Sequence, residues 1–247
     1  MEFRFLWRAW KARLRDERAE IHALRSSIRD GETAVDVGAN KGSYLYWLSR
    51  AVGSGTVVAF EPQPDLASYL RRHCSPSGLA NVTVEAAGVS DRRGELMLHV
   101  PGDTTSPGAS LEDAVLKSEG CRSYTVPVLR LDDYFQDRKR RIAAMKIDVE
   151  GHELAVLRGA HEILDTDGPC LVVECERRHL ATGSVEEVLQ HVIARGYDCH
   201  FVDQGRLRPI AEFDPDVHQR NTGDRFFAAK GYCNNFVLRK IGGSAAR

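Results

Sequence analysis

The run Thr33-Ala34-Val35-Asp36-Val37-Gly38-Ala39-Asn40-Lys41-Gly42 most constrains the fold, because it passes from an apolar strand through a glycine-spaced turn toward a helical stretch at 44–52. That sequence of patterns opens a βαβ unit, and it recurs along the chain. Further strands are expected at 57–60, 82–87, 145–149 and 171–175, with helices at 65–73 and 153–160. A helix at 186–195 leads through Gly196 into a strand ending near Val202. Strands alternating with helices imply a parallel sheet covered on both faces. Two extra strands, 96–100 and 124–129, flank a polar loop at 101–123. The last apolar run, 236–238, has no helix separating it cleanly from the preceding strand and is expected to join antiparallel at the sheet edge.

Composition narrows the class. The chain has 247 residues, 43% of them hydrophobic, enough to bury one large core. A formal net charge of −1 supplies no global electrostatic footprint for nucleic acid, so none is expected as a partner. No apolar run approaches the ~18 residues of a membrane helix, and the charged start does not read as a secretory signal. The six cysteines are scattered without a C-x-x-C pair and read as reduced core thiols, which together suggest a cytoplasmic protein.

Residues 1–31 stand apart from the domain expected at 32–247. The first thirty carry eight basic and five acidic side chains, and they place Leu6, Trp10 and Leu14, then Ile21, Leu24 and Ile28, at helical spacing. This basic amphipathic helix is expected to pack on the domain, or on a second copy as a homo-oligomer contact. The alternative is a membrane-surface or partner helix.

The turn after the first strand faces the crevice where α/β sheets bind nucleotides. Gly38 and Gly42 permit close backbone approach, and the following helix offers free N–H groups. The dinucleotide fingerprint would need glycines where Asn40 and Ser43 stand, which disfavours a nicotinamide oxidoreductase. Glu61 ends the second strand 23 residues after Gly38, near the offset at which a carboxylate accepts ribose hydroxyls. An ordinary strand–helix turn and a solvated strand-end charge are the plainer readings.

Together with Phe60-Glu61-Pro62-Gln63-Pro64 and Lys146-Ile147-Asp148-Val149-Glu150-Gly151-His152-Glu153, this turn resembles the FkbM family of S-adenosylmethionine-dependent methyltransferases over roughly 32–195. The resemblance implies a Rossmann-like methyltransferase fold, an α/β architecture with a mostly parallel seven-stranded sheet and an antiparallel last strand. It also implies that Asp36, Gly38, Asn40 and Gly42 embrace the amino-acid part of S-adenosylmethionine, and that Glu61 holds the ribose. The stretch 87–91, with Gly88, Ser90 and Asp91, would lie near the adenine, and Asp148 would face the methyl-transfer site.

Methyl transfer to a hydroxyl needs in-line positioning and a base. Of the neighbouring carboxylates Asp148 and Glu150 only one is expected to face the pocket, and Asp148 is the one chosen. Glu150 and Glu153 then suit the N-terminus of the next helix. Glu174, on the neighbouring strand end, is expected to meet Asp148, with His179 or Asp148 taking the proton. Asp148, Glu174 and Glu176 are also oxygen donors of the kind a divalent metal accepts, though their spacing forms no known motif. The segments expected to face the acceptor are loop 101–123 and residues 203–231, the latter carrying Arg206, Arg208, His218, Arg220, Asn221 and Arg225 beside Phe226-Phe227. The leading expectation is an O-methyltransferase acting on a small-molecule acceptor, a hydroxyl of a sugar or secondary metabolite. The rivals are N-methylation of an amine and a cofactor-fold protein that chiefly binds a partner.

Overall fold

A computed structural model describes residues 3–74, 78–113, 120–223 and 226–242. Its frame is an eight-stranded sheet. In chain order the strands are β1 (Thr33–Val37), β2 (Thr56–Phe60), β3 (Val82–Glu85), β7 (Ile142–Ile147), β8 (Cys170–Glu174), β9 (Tyr197–Asp203), β10 (Arg206–Pro209) and β11 (Asn235–Lys240). Across the sheet the order is β10-β9-β11-β8-β7-β1-β2-β3. The β1–β2, β2–β3, β1–β7 and β7–β8 pairs are parallel. All five residues of β1 and all six of β7 are buried, as their near-continuous apolar runs require in a sheet covered on both faces.

Two strands depart from expectation. β11 lies inside the sheet, antiparallel to both β8 and β9, and not at its edge. Phe236 and Leu238 belong to one apolar cluster and Val237 to the other, so the strand fills both faces at once and an edge position would strip one of them. The edge is taken by β10, an eighth strand with no apolar pattern to announce it. It is turned back on β9 by Gln204 (φ 49°) and Gly205 (φ 76°), the paired positive values of a two-residue hairpin.

Helices α3 (Leu45–Val52), α4 (Pro64–Cys74) and α8 (Val185–Ile193) fall where their periodicity puts them, whereas the helix expected at 153–160 stops at Arg158 as α6 (Glu153–Arg158) and a separate helix, α7 (His161–Thr166), follows. The expected extra strands form a hairpin, β5 (Gly94–Pro101) with β6 (Cys121–Leu129), joined by β4 (Gly88–Val89) into a separate three-stranded sheet. A short helix, α5 (Leu131–Tyr134), returns the chain to β7, and another, α9 (Pro215–His218), lies between β10 and β11.

The N-terminal segment is α1 (Phe3–Lys11), a π-helical turn (Ala12–Asp16) and α2 (Arg18–Ser26). It packs on the domain, with Leu6 half-buried against the core but without the whole of the expected Leu6, Trp10 and Leu14 set. Phe5, Ala9 and Ala12 are buried, while Trp10 and Leu14 are exposed. The small Ala9 lets the backbones close until Trp47 Nε1 donates to its carbonyl at 2.7 Å, an approach a larger side chain would block. Among the described residues no helix is long and apolar enough to cross a membrane.

Candidate functional site

The carboxyl ends of β1, β2 and β7 and the inner face of the small sheet enclose a cavity of about 510 Å³, lined among others by Gly38, Asn40, Glu61, Gln63, Gly88 and Asp148. Local geometry explains the residue types. At Gly38, φ is +78° and a Cβ would stand 1.8 Å from the Asp148 carbonyl oxygen, so only glycine lets the β1 and β7 ends approach this closely. Asn40 (φ 47°) takes the left-handed conformation that asparagine tolerates. Its amide and that of Gln63 donate to the two oxygens of Glu61, at 2.7 and 2.9 Å. Burial nonetheless pushes the Glu61 carboxyl up to about 7.

Asp36 is buried at the end of β1, behind the cavity lining, and one of its oxygens, Oδ1, has no partner among the described residues. Burial pushes its carboxyl up to about 6, against the pull of the Lys146 cation. An unpartnered buried acceptor beside a glycine cradle suits a ligand that brings N–H or O–H donors, as an adenosyl amino acid does.

The other expected cofactor residues divide. Gly42 is walled off, since a Cβ there would meet Leu70 and Phe5 at 2.9 Å. Ala87, Gly88 and Val89 line the cavity, but Ser90 and Asp91 do not. Ser90 bonds His152 Nε2 at 2.9 Å, and Asp91 is exposed. Loop 101–123, expected to face the acceptor, instead sends Pro107, Ala109 and Leu111 into the wall of this cavity beside Glu61 and Gly88. Residues 114–119 of it lie outside the described residues, as does Arg225. The missed side chain is Gln63, whose amide donates to the Ser106 carbonyl at 2.9 Å and accepts from the Ser106 amide at 3.0 Å.

A polar cluster adjoins the cavity at Asp148. Lys146 Nζ lies 2.7 Å from Asp148 Oδ2 and over the Tyr44 ring. Glu150 does not turn away from this cluster. β7 ends at Ile147, and Glu150 adopts φ 53°, so strand alternation no longer governs it. Its carboxylate pairs with His179 Nδ1. Gly151 makes the contact possible, because a Cβ there would stand 2.4 Å from the His179 carbonyl oxygen. Burial opposes a charged His179 ring, but the hydrogen bond and charge of Glu150 outweigh it and hold the imidazole above its ordinary value. Glu153 behaves as expected at a helix start, accepting from the Gly151 amide at 2.9 Å.

The expected metal donors are committed elsewhere. Glu174 accepts from Asn234 at 2.6 Å, and Glu176 from Arg178 at 2.6 Å and Tyr232 at 2.7 Å. Among the described residues no three His, Cys, Asp or Glu side chains are placed to hold a metal ion, so the arrangement does not fit one. Of the long segment 203–231, Arg208 is tied to Asp203 and Glu212. Phe226 and Phe227 do reach the cluster, through Arg178, whose guanidinium sits 4.5 Å from the Phe227 ring centre.

Residues 36–199 match the methyltransferase FkbM domain, more than half the chain. The chain belongs to the FkbM methyltransferase family. Among FkbM-like relatives it is 27% identical to the 31-O-demethyl-FK506 methyltransferase FkbM of Streptomyces tacrolimicus, over 78% of this chain and 80% of that one. It is 32% identical to methyltransferase sdnD of Sordaria araneosa, over 52% of this chain and 60% of that one. The hexuronic acid methyltransferase AglP of Haloferax volcanii is 29% identical over 64% and 62%. The chain thus spans about three-fifths of the length of sdnD and AglP. The crystal structure of the O-methyltransferase TomG from Streptomyces achromogenes superposes with a TM-score of 0.50 at 12% identity, over 98% of this chain and 92% of TomG, and shows the same Rossmann-like fold.

Proposed function

We propose that this FkbM-family chain transfers the methyl group of S-adenosylmethionine to a hydroxyl of a small polyhydroxylated acceptor, a sugar or secondary metabolite. The observation that carries the reading is the His179–Glu150 pair set beside Asp148, which itself lines a cavity walled by Gly38, Glu61 and Gly88. When bound, the cofactor supplies a methyl group on a sulfonium, open to in-line attack.

The chain's own groups divide the remaining work. Asp36 and the turn at Gly38 and Asn40 take the amino-acid end. Glu61 accepts from the ribose hydroxyls with the lone pairs its two backbone donors leave open. Leu98, Ala109 and Leu111 cover the apolar face of the adenine, and Asp148 stands at the sulfonium end. His179, with Nδ1 held by Glu150, directs Nε2 to the acceptor hydroxyl and takes its proton, the arrangement in which a carboxylate orients a catalytic imidazole. Phe226 and Phe227, under Arg178, offer an aromatic surface for the C–H face of a sugar and a cation for an acidic substituent. The names of the S. tacrolimicus and H. volcanii relatives specify an oxygen of FK506 and a hexuronic acid, and both support this acceptor class.

The test begins with calorimetric titration of S-adenosylhomocysteine and NAD, each with and without EDTA. It then measures transfer of labelled methyl to hexuronic acids, to alcohols and to matched amines. Selective binding of the adenosyl ligand, indifferent to EDTA, with label on oxygen and loss of transfer in His179→Ala, is the expected result. Label on amines only, with His179→Ala as fast as the parent, would turn the reading to N-methylation.

A further inference from the structure

Helix α1 is fixed to the domain on one side and left bare on the other. Phe5, Ala9 and Ala12 are buried, Phe5 lying behind the cofactor turn, where a Cβ on Gly42 would come within 2.9 Å of its ring. At about 100° per residue Trp7 and Trp10 project away from the buried side of the helix, Trp10 with one edge against the Trp47 ring, and Leu14 follows in the π-helical turn. Trp7, Trp10 and Leu14 are 54%, 47% and 65% exposed, an apolar set that spans α1 and the π-helical turn after it. Lys11 is exposed beside the stripe with its ammonium over the Trp7 ring, half-buried Arg8 is bonded to Tyr69, and Arg18 is exposed at the start of α2. The first thirty residues carry eight basic against five acidic side chains, a local excess of positive charge in a chain of formal net charge −1.

We propose that this stripe docks the protein on the surface of an anionic lipid bilayer. Indole rings sit at the boundary between headgroups and acyl chains, where an apolar body and a polar N–H are both accommodated. A Leu between them adds apolar area, and cations beside the stripe meet the negative headgroups. The same charges argue against a second copy as the occupant. A two-fold contact would gather the cations of both copies at one seam, and three apolar side chains fall well short of the ~800 Å² per partner of a stable interface. The helix lies flat on the domain, so its exposed face meets a plane without the chain unfolding.

The experiment is co-sedimentation of the full chain with large vesicles of phosphatidylcholine containing 30% phosphatidylglycerol, and with phosphatidylcholine alone, at low and physiological salt. Binding to the anionic vesicles, weakened by salt and accompanied by a blue shift of tryptophan emission, is expected. Trp7→Ser with Leu14→Ser should weaken it at least about tenfold, since each removes a side chain worth that much when buried. Lys11→Glu with Arg18→Glu should weaken it comparably while leaving the apolar stripe intact. All four positions are exposed, and unchanged S-adenosylhomocysteine binding certifies the fold of each variant. Failure to bind anionic vesicles, equal binding to neutral ones, or full binding by either double variant would overturn the proposal. So would a dimer in sedimentation velocity that Trp7→Ser with Leu14→Ser dissolves.

Discussion

Cofactor affinity should rise steeply with pH between 6 and 8, and Glu61 should be the reason. Its carboxyl is buried and displaced to about 7, yet two backbone amides already point at it. A ribose diol donates to the carboxylate and gains little from the neutral acid, so binding selects the ionised form. A group with a pKa of about 7 is roughly 10% ionised at pH 6 and roughly 90% at pH 8, which makes the change close to tenfold, about 1.4 kcal/mol. Asp36, displaced to about 6, adds roughly a further factor of two over the same interval. The sign is fixed by the charge state: affinity is present above these values and lost as the pH falls through them. Glu61→Gln removes the larger component and leaves the roughly twofold remainder, while an amide N–H₂ set against the Asn40 and Gln63 amides costs on the order of 2 kcal/mol of affinity at pH 8. The assay is calorimetric titration with S-adenosylhomocysteine at pH 6, 7 and 8. The ligand's own amino group titrates alike against both proteins, so the ratio of their slopes isolates Glu61. A Glu61→Gln protein with the parent's slope would refute the assignment of the ribose carboxylate.

Three other outcomes test the packing and the site. Phe236→Ala should lower the unfolding free energy by about 3–5 kcal/mol in urea titration, because β11 is an interior strand and the ring is wholly buried; a loss under about 1 kcal/mol would fit an edge strand instead. Glu20 is buried in α2 with its carboxyl raised to about 7, so the folded state holds its proton more tightly than the unfolded chain and stability falls as pH rises from about 4.5 to 7. Glu20→Gln should therefore stabilise by up to about 3 kcal/mol at pH 8 and by nothing below pH 4.5, read from melts across that range. Gln63→Ala removes both hydrogen bonds that tie Ser106 over the cavity, at about 1 kcal/mol each, and stopped-flow should show adenosyl-ligand release about ten- to thirtyfold faster.

The parts of the molecule legible in the sequence are those whose side chains answer to a period. β1, β2, β7 and β8 are apolar runs because both faces of each are covered, and Gly38 is demanded by a carbonyl too near for any Cβ. The site's second half follows no period. β7 stops one residue before Asp148, so no strand period governs Asp148 or Glu150, and a left-handed Glu150 swings its carboxylate onto His179, 29 residues downstream. α1 shows the same limit in apolar form. Leu6, Trp10 and Leu14 keep helical spacing as faithfully as Phe5, Ala9 and Ala12 do, and hydropathy favours the larger set. The domain takes the smaller one, because alanines admit the close approach that lets Trp47 bond the α1 backbone, and of the larger set Leu6 stays half-buried while Trp10 and Leu14 are left exposed. Periodicity thus identifies a helix with two apolar faces but not which of them the fold consumes. Where the domain consumes the smaller face, the larger and more costly one remains exposed to water, and its tryptophans and flanking cations are the physical ground for seeking its partner at a charged bilayer.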